Sequence, residues 1–222
     1  MSQSRRELIL GAVAVAMLPV GALAADEKKS IAAKKAFPFY GLFLDTPPAE
    51  RSRFTMSYYL KVNGRPATTP VLTLVMPNGA RTPLAVGAEG RIVRMPTKAE
   101  LKDGLIEAAK ASPGDRVQLS MELEPLVRLG ETVSVADLNA ALDQCNTAIK
   151  KRAGVIGFAV PKMEQVLFAG APAGNALLAD GKTAPLPQFR GMAFYRPSAL
   201  PGAQSLKFGK APSRALMSGK TK

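Results

Sequence analysis

Arg53-Phe54-Thr55-Met56-Ser57-Tyr58-Tyr59-Leu60-Lys61-Val62-Asn63-Gly64 is the stretch on which the fold class turns. Phe54, Met56, Tyr58, Leu60 and Val62 fall on one side of an extended chain, and Arg53, Thr55, Ser57, Tyr59 and Lys61 on the other. That period of two marks a half-buried β-strand, because successive side chains of a strand point to opposite faces. Asn63-Gly64 supplies a turn directly after it, since both residues tolerate positive φ.

Downstream, the apolar run 71–76 ends at Pro77-Asn78-Gly79, and short segments follow at 81–86 and 91–95. Residues 116–124 alternate as cleanly as the first strand, with Val117, Leu119, Met121 and Leu123 facing inward. Strands this short and this regularly punctuated suggest a sandwich-like module. Thr97-Lys98-Ala99-Glu100 fits a capping box that starts a helix, and Gly104 is placed to end it; 105–110 reads equally as helix or strand. The clearest helix spans 135–152. Ser134 stands at its N-cap, Asp137 in its first turn and Lys150, Lys151 and Arg152 in its last, all of which suit the helix dipole. Leu138, Leu142, Cys145 and Ile149 form its apolar stripe. Strands resume at 155–160 and 165–169, in a hairpin turning at Asp180-Gly181, and more weakly at 189–195 and 205–208. The expected fold is α+β and predominantly β: sandwich-like antiparallel strands, a long helix, then a second set of short strands. The expected divisions are a signal peptide over 1–24, an extended N-terminal segment over 25–52, a β module over 53–125, an α+β module over 133–210 and a basic flexible tail over 211–222.

Upstream, Ser4-Arg5-Arg6-Glu7-Leu8 precedes an apolar run over 8–18, then Pro19 and Gly21-Ala22-Leu23-Ala24-Ala25. A basic start, a short apolar stretch and a small-x-small site, with Ala22 and Ala24 at its small positions, make a cleavable export signal. The run is about half of the ~20 residues a spanning helix needs. Arg5 and Arg6 resemble the twin-arginine signal, although Leu8 and Leu10 depart from its commoner residues. General secretion is the competing route. Export places the protein in the periplasm or outside the cell, with cleavage near Ala24.

The chain carries 30 basic and 17 acidic side chains, a net charge of +13, and loss of Arg5, Arg6 and Glu7 with the leader changes this only to +12. Such a charge bears on partners rather than on fold. For an exported chain the partner is expected to be an envelope polyanion, lipid or glycan rather than nucleic acid, with membrane contact at most peripheral. Oligomeric state is not set by the sequence. There is no histidine and a single cysteine, Cys145. A Ser-His-Asp or Cys-His site and a histidine-ligated zinc are thereby excluded, as is an internal disulfide. No phosphate loop, paired-cysteine metal motif, GxSxG elbow or calcium loop occurs, so no cofactor or metal is called for.

The remaining candidates are groups of residues. Phe37, Phe39 and Tyr40 stand in the densest aromatic stretch, 37–44, and could line a groove for an amphiphile or a peptide; the competing reading is ordinary core. Arg190, Arg196 and Lys207, interleaved with Phe189, Phe194, Tyr195 and Phe208, could bind an anionic sugar, lipid or phosphate, or simply cover the wet face of strands. Glu122 and Glu124 share one face of a strand, as a carboxylate pair for acid and base chemistry would, but their neighbours Arg116, Gln118 and Ser120 predict solvent exposure. No residue is assigned a catalytic role.

Phe37-Pro38-Phe39 with Ala49-Glu50-Arg51-Ser52-Arg53-Phe54, the run Gly90-Arg91-Ile92-Val93-Arg94-Met95-Pro96-Thr97, and Ala159-Val160-Pro161-Lys162-Met163-Glu164 together resemble exported bacterial proteins of a domain-of-unknown-function family. The resemblance covers nearly all of the chain after the signal. It implies no activity and no catalytic residue. The preferred reading is an exported, non-catalytic binding protein for an anionic or amphiphilic ligand; the alternatives are a carbohydrate-active hydrolase using carboxylates and an assembly or secretion accessory.

Overall fold

The computed structural model describes residues 30–109, 114–153 and 161–219. The expected export signal and the strand expected at 155–160 lie outside the described residues. The chain is α+β and predominantly β, with antiparallel sheets and one long helix. It forms two compact units that divide between Leu126 and Val127.

The first unit begins with β1 (Ser30–Ala32) and two short helices, α1 (Ala33–Ala36) and α2 (Tyr40–Asp45). Its long strands are β2 (Phe54–Val62) and, later, β7 (Val117–Pro125). Between them run β3 (Arg65–Pro66), β4 (Leu72–Val75), β5 (Arg81–Pro83), α3 (Lys98–Asp103) and β6 (Leu105–Ala108). β1, β6, β4 and β5 form one antiparallel sheet in that order. β2 pairs antiparallel with β7 over its full length, Phe54 opposite Pro125 and Val62 opposite Val117, and with β3 across the Asn63-Gly64 turn. Both turn residues have positive φ, 52° and 77°.

Residues 30–52 are thus folded around two helices and a 3-10 turn rather than being an extended segment. The aromatic stretch bends there because Phe39 takes φ 65° and starts α2. Phe37, Tyr40 and Phe43 then turn inward, while Phe39 and Leu42 stay on the surface. Phe37 meets Tyr58 edge-on at 5.0 Å, Tyr40 meets Tyr58 at 6.0 Å, and Phe43 meets Phe54 at 5.9 Å. The hydroxyl of Tyr58 donates to the carbonyl of Pro38. Thr97 and Glu100 make the reciprocal capping box of α3: Glu100 N donates to Thr97 Oγ1 at 3.3 Å and Thr97 N to Glu100 Oε2 at 2.8 Å. Burial works against the charge of Glu100, but hydrogen bonds from Arg94 and Thr97 outweigh it and hold the carboxyl below its ordinary range.

The second unit carries β8 (Thr132–Ser134), α4 (Val135–Ala153), β9 (Gln165–Ala169), β10 (Asn175–Leu178), β11 (Thr183–Pro185), β12 (Gln188–Phe189), β13 (Met192–Tyr195), β14 (Ala203–Lys207) and β15 (Arg214–Ser218). One antiparallel sheet runs β11-β10-β14-β8, and a second array pairs β12 with β13, β13 with β9 and β9 with β15. The described end of the chain is therefore no tail: Ala215, Met217 and Ser218 are buried in β15. Its alternation of Ala215 and Met217 with less buried residues is the strand pattern that the surrounding basic residues mask. α4 buries Leu138, Ala141, Leu142, Cys145 and Ala148, with Ile149 half-buried. Asn146 clamps the chain before β9 by two bonds, its Nδ2 donating to Met163 O at 2.9 Å and its Oδ1 accepting from Met163 N at 2.8 Å.

Burial pushes the Cys145 thiol up to about 12. The thiolate is the reactive form, so at pH 8 the native protein is expected to resist a thiol-specific reagent and to react at once in denaturant. The unfolded chain loses this proton near 9.0 and the folded one only near 12. Rising pH between those values therefore favours unfolding. Equal labelling rates in buffer and denaturant would contradict this burial.

Candidate functional site

The odd-numbered residues of β2 read as its polar, wet side, yet Ser57 and Tyr59 are buried, and so is Glu124 opposite them on β7. The expectation that Glu122 and Glu124 are solvent-exposed fails for Glu124, which is 7% exposed, while Glu122 is half-buried. The register explains the cluster. Thr55 faces Glu124, Ser57 faces Glu122 and Tyr59 faces Ser120, so Ser57 and Tyr59 share one face with both carboxylates.

Glu124 collects three donors on its two oxygens. Ser57 Oγ donates to Oε2 at 2.7 Å, the Tyr59 hydroxyl donates to Oε1, and Arg91 Nη2 lies 3.2 Å from Oε2. Arg91 Nη2 also donates to Ser57 Oγ at 2.8 Å. A buried carboxylate with this many partners has its desolvation offset. Half of the Arg91 side chain remains in solvent. Among the described residues only Nη2 of Arg91 is engaged; Nε and Nη1 keep their donors.

Backbone geometry delivers Arg91 to this place. Residues 87–93 lie along β2, with Ile92 N donating to Tyr58 O at 2.8 Å and Arg91 bridged to Tyr59. Gly90 is pressed onto the strand at φ 83°, where a Cβ would collide with the carbonyl oxygen of Leu60. Only glycine fits so close an approach at that φ. Beside Arg91 opens a cleft of about 490 Å³ lined by Tyr40, Thr55, Met56, Ser57, Arg91, Ile92, Val93 and Met95. Its polar side chains offer one guanidinium, two hydroxyls and a phenol, and Met56, Ile92, Val93 and Met95 complete the lining. Glu124 is not part of the lining.

Of the aromatic candidates, Tyr40 lines this cleft, Phe39 is 38% exposed beside it in sequence, and Phe37 is a core residue, 1% exposed. The basic candidates fall in the second unit and do not converge. Arg190 is exposed at the β12–β13 turn, its guanidinium 5.1 Å from the ring of Phe189. Arg196 follows the far end of β13, 5.1 Å over Phe194, and donates through Nε and Nη2 to the fully buried Gln165 at 3.2 and 2.5 Å. Lys207 is exposed on β14, in the other sheet. Arg91 was missed because it sits in a segment read as a short strand, and nothing local marks its partner as buried. Gly90 was the available signal. No family model matches the chain, and no curated protein or solved structure shows significant similarity to it.

Replacing Glu124 by Gln or Tyr59 by Phe is expected to lower stability by about 1–2 kcal/mol each. The double variant should lose less than the sum, because the first change weakens the Tyr59–Glu124 hydrogen bond by removing its charge and the second removes the bond altogether. Additive losses in denaturant titrations would show that the two side chains act independently. Gly90→Ala should cost at least about 2 kcal/mol.

Proposed function

We propose that the chain is an exported, non-catalytic binding protein, and that an anionic amphiphile occupies the cleft beside Arg91. The observation that carries this reading is a guanidinium with unused donors, held by buried Ser57 and Glu124, at the wall of a cleft that combines polar groups with the side chains of Met56, Ile92, Val93 and Met95. A fixed arginine suits a carboxylate or phosphate, and the methionine, isoleucine and valine walls suit an apolar body. The lining holds no carboxylate, which favours binding over hydrolysis by paired carboxylates. Among the described residues no helix is long and apolar enough to cross a membrane. The net charge of +13 favours approach to anionic envelope surfaces.

Native mass spectrometry of the protein purified from its own periplasm is expected to show a retained anionic lipid, glycan or peptide. Arg91→Gln should reduce its occupancy at least about tenfold, a loss of roughly 1.4 kcal/mol, whereas Lys102→Gln, on the surface of α3, should not. Equal occupancy in both variants would remove Arg91 from the site. N-terminal sequencing of the exported protein should begin near Ala25, and Lys in place of both Arg5 and Arg6 should block export if the twin-arginine route is used.

A further inference from the structure

The cleft beside Arg91 has a charged end and an apolar end. The charged end lies where residues 91–93 are clasped from both sides. Ile92 N donates to Tyr58 O of β2 at 2.8 Å, while Arg91 O accepts from Gly87 N at 2.7 Å and Val93 N donates to Ala85 O at 2.9 Å. Arg91 is held there against Ser57 and Glu124. Beyond the clasp, β2 contributes Met56 to the lining, and the chain that leaves the clasp contributes Val93 and Met95. Val93 is 65% exposed, so apolar surface continues from the cleft out to its mouth.

At about 490 Å³ the cleft is in the lower part of the roughly 300–1,000 Å³ that small-molecule sites span. A water's share of the liquid is about 30 Å³, so the space takes one chain of methylene-sized groups with its head, and a lipid with two long tails overfills it. Methionine side chains suit such a tail, because they are unbranched and repack along it. A sugar acid of similar size would engage Arg91 and the hydroxyl of Thr55 but leave Met56, Val93 and Met95 unused. We infer that the ligand is a single-chain amphiphile, one unbranched tail ending in a carboxylate or phosphate, with its head on Arg91 and its tail along Met56, Val93 and Met95. The inference rests on the cleft being the ligand site. It adds the number of tails and the direction in which the tail lies.

The test is titration calorimetry of the purified exported protein with straight-chain carboxylates from hexanoate to tetradecanoate, each kept below the concentration at which it forms micelles. Affinity should rise about fourfold for each methylene buried and level off within a few carbons of dodecanoate, where the cleft is full. Dodecyl phosphate distinguishes a phosphate-headed source from a free acid, and tight binding of either fits the inference. Arg91→Gln should weaken every acid by the same factor. Val93→Ser, at an exposed position where folding is not at stake, should weaken dodecanoate at least about fourfold and leave hexanoate unchanged. A Val93→Ser variant that binds both acids as the parent does would overturn the placing of the tail. Affinity independent of chain length would also overturn it, and would leave Arg91 as an anion site. Binding of didodecanoyl phosphatidylglycerol as tight as that of dodecanoate would overturn the single tail. Failure of all these probes to bind would remove the cleft as a ligand site, and with it the reading on which the inference rests.

Discussion

β2 is bonded along both edges for most of its length and buried on both faces at its centre, and the rest of the first unit is arranged around that fact. Its odd-numbered backbone groups go to β7, and its even-numbered groups go first to β3 and then to the segment that brings in Arg91. Gly90 makes the second arrangement possible, since any Cβ there meets the strand's own backbone. Once that segment is seated, a face that would otherwise be wet is covered, and the polar residues on it must find partners in one another. The Ser57-Tyr59-Glu124-Arg91 cluster is the consequence.

Much of the architecture was legible because it follows from local rules. The alternation over β2 and β7, the Asn63-Gly64 turn, the capping box at Thr97 and the long helix after Ser134 each depend on residues within a few positions of one another, and the structure has all four. The helices of residues 30–52 and strand β15 were not legible. Two of those helices are four and six residues long, too short for a period to declare itself, and such pieces take their shape from tertiary contacts rather than propensity. β15 owes its place to β9, almost fifty residues away, and its basic surroundings read as a solvated end.

The site was hidden for a related reason. A strand's polar face predicts exposure only while nothing crosses it, and what crosses β2 comes from thirty residues further on. Glu124 has the sequence neighbourhood of a surface residue. Its burial is decided by Tyr59 and Arg91, neither of which is near it in the chain. The aromatic stretch divides between the two readings it allowed: Phe37 and Phe43 complete the core around Tyr58 and Phe54, while Tyr40 both belongs to that core and reaches the cleft.

Thirty basic side chains make any single arginine an unremarkable feature of this chain, so the choice among them has to be physical. Arg190 and Lys207 stand in solvent, where long side chains gain little from any one geometry. Arg196 is fixed, but by spending two of its nitrogens on the buried amide of Gln165. Arg91 is fixed through one nitrogen alone, by two acceptors that are themselves buried and cannot readily move. A guanidinium held in that way loses little further freedom when an anion arrives, and the remaining donors are already set in a plane that matches a carboxylate. Glu124 acts here as the group that orients the arginine. Its oxygens accept from Ser57, Tyr59 and Arg91, so the carboxylate holds the guanidinium in one orientation.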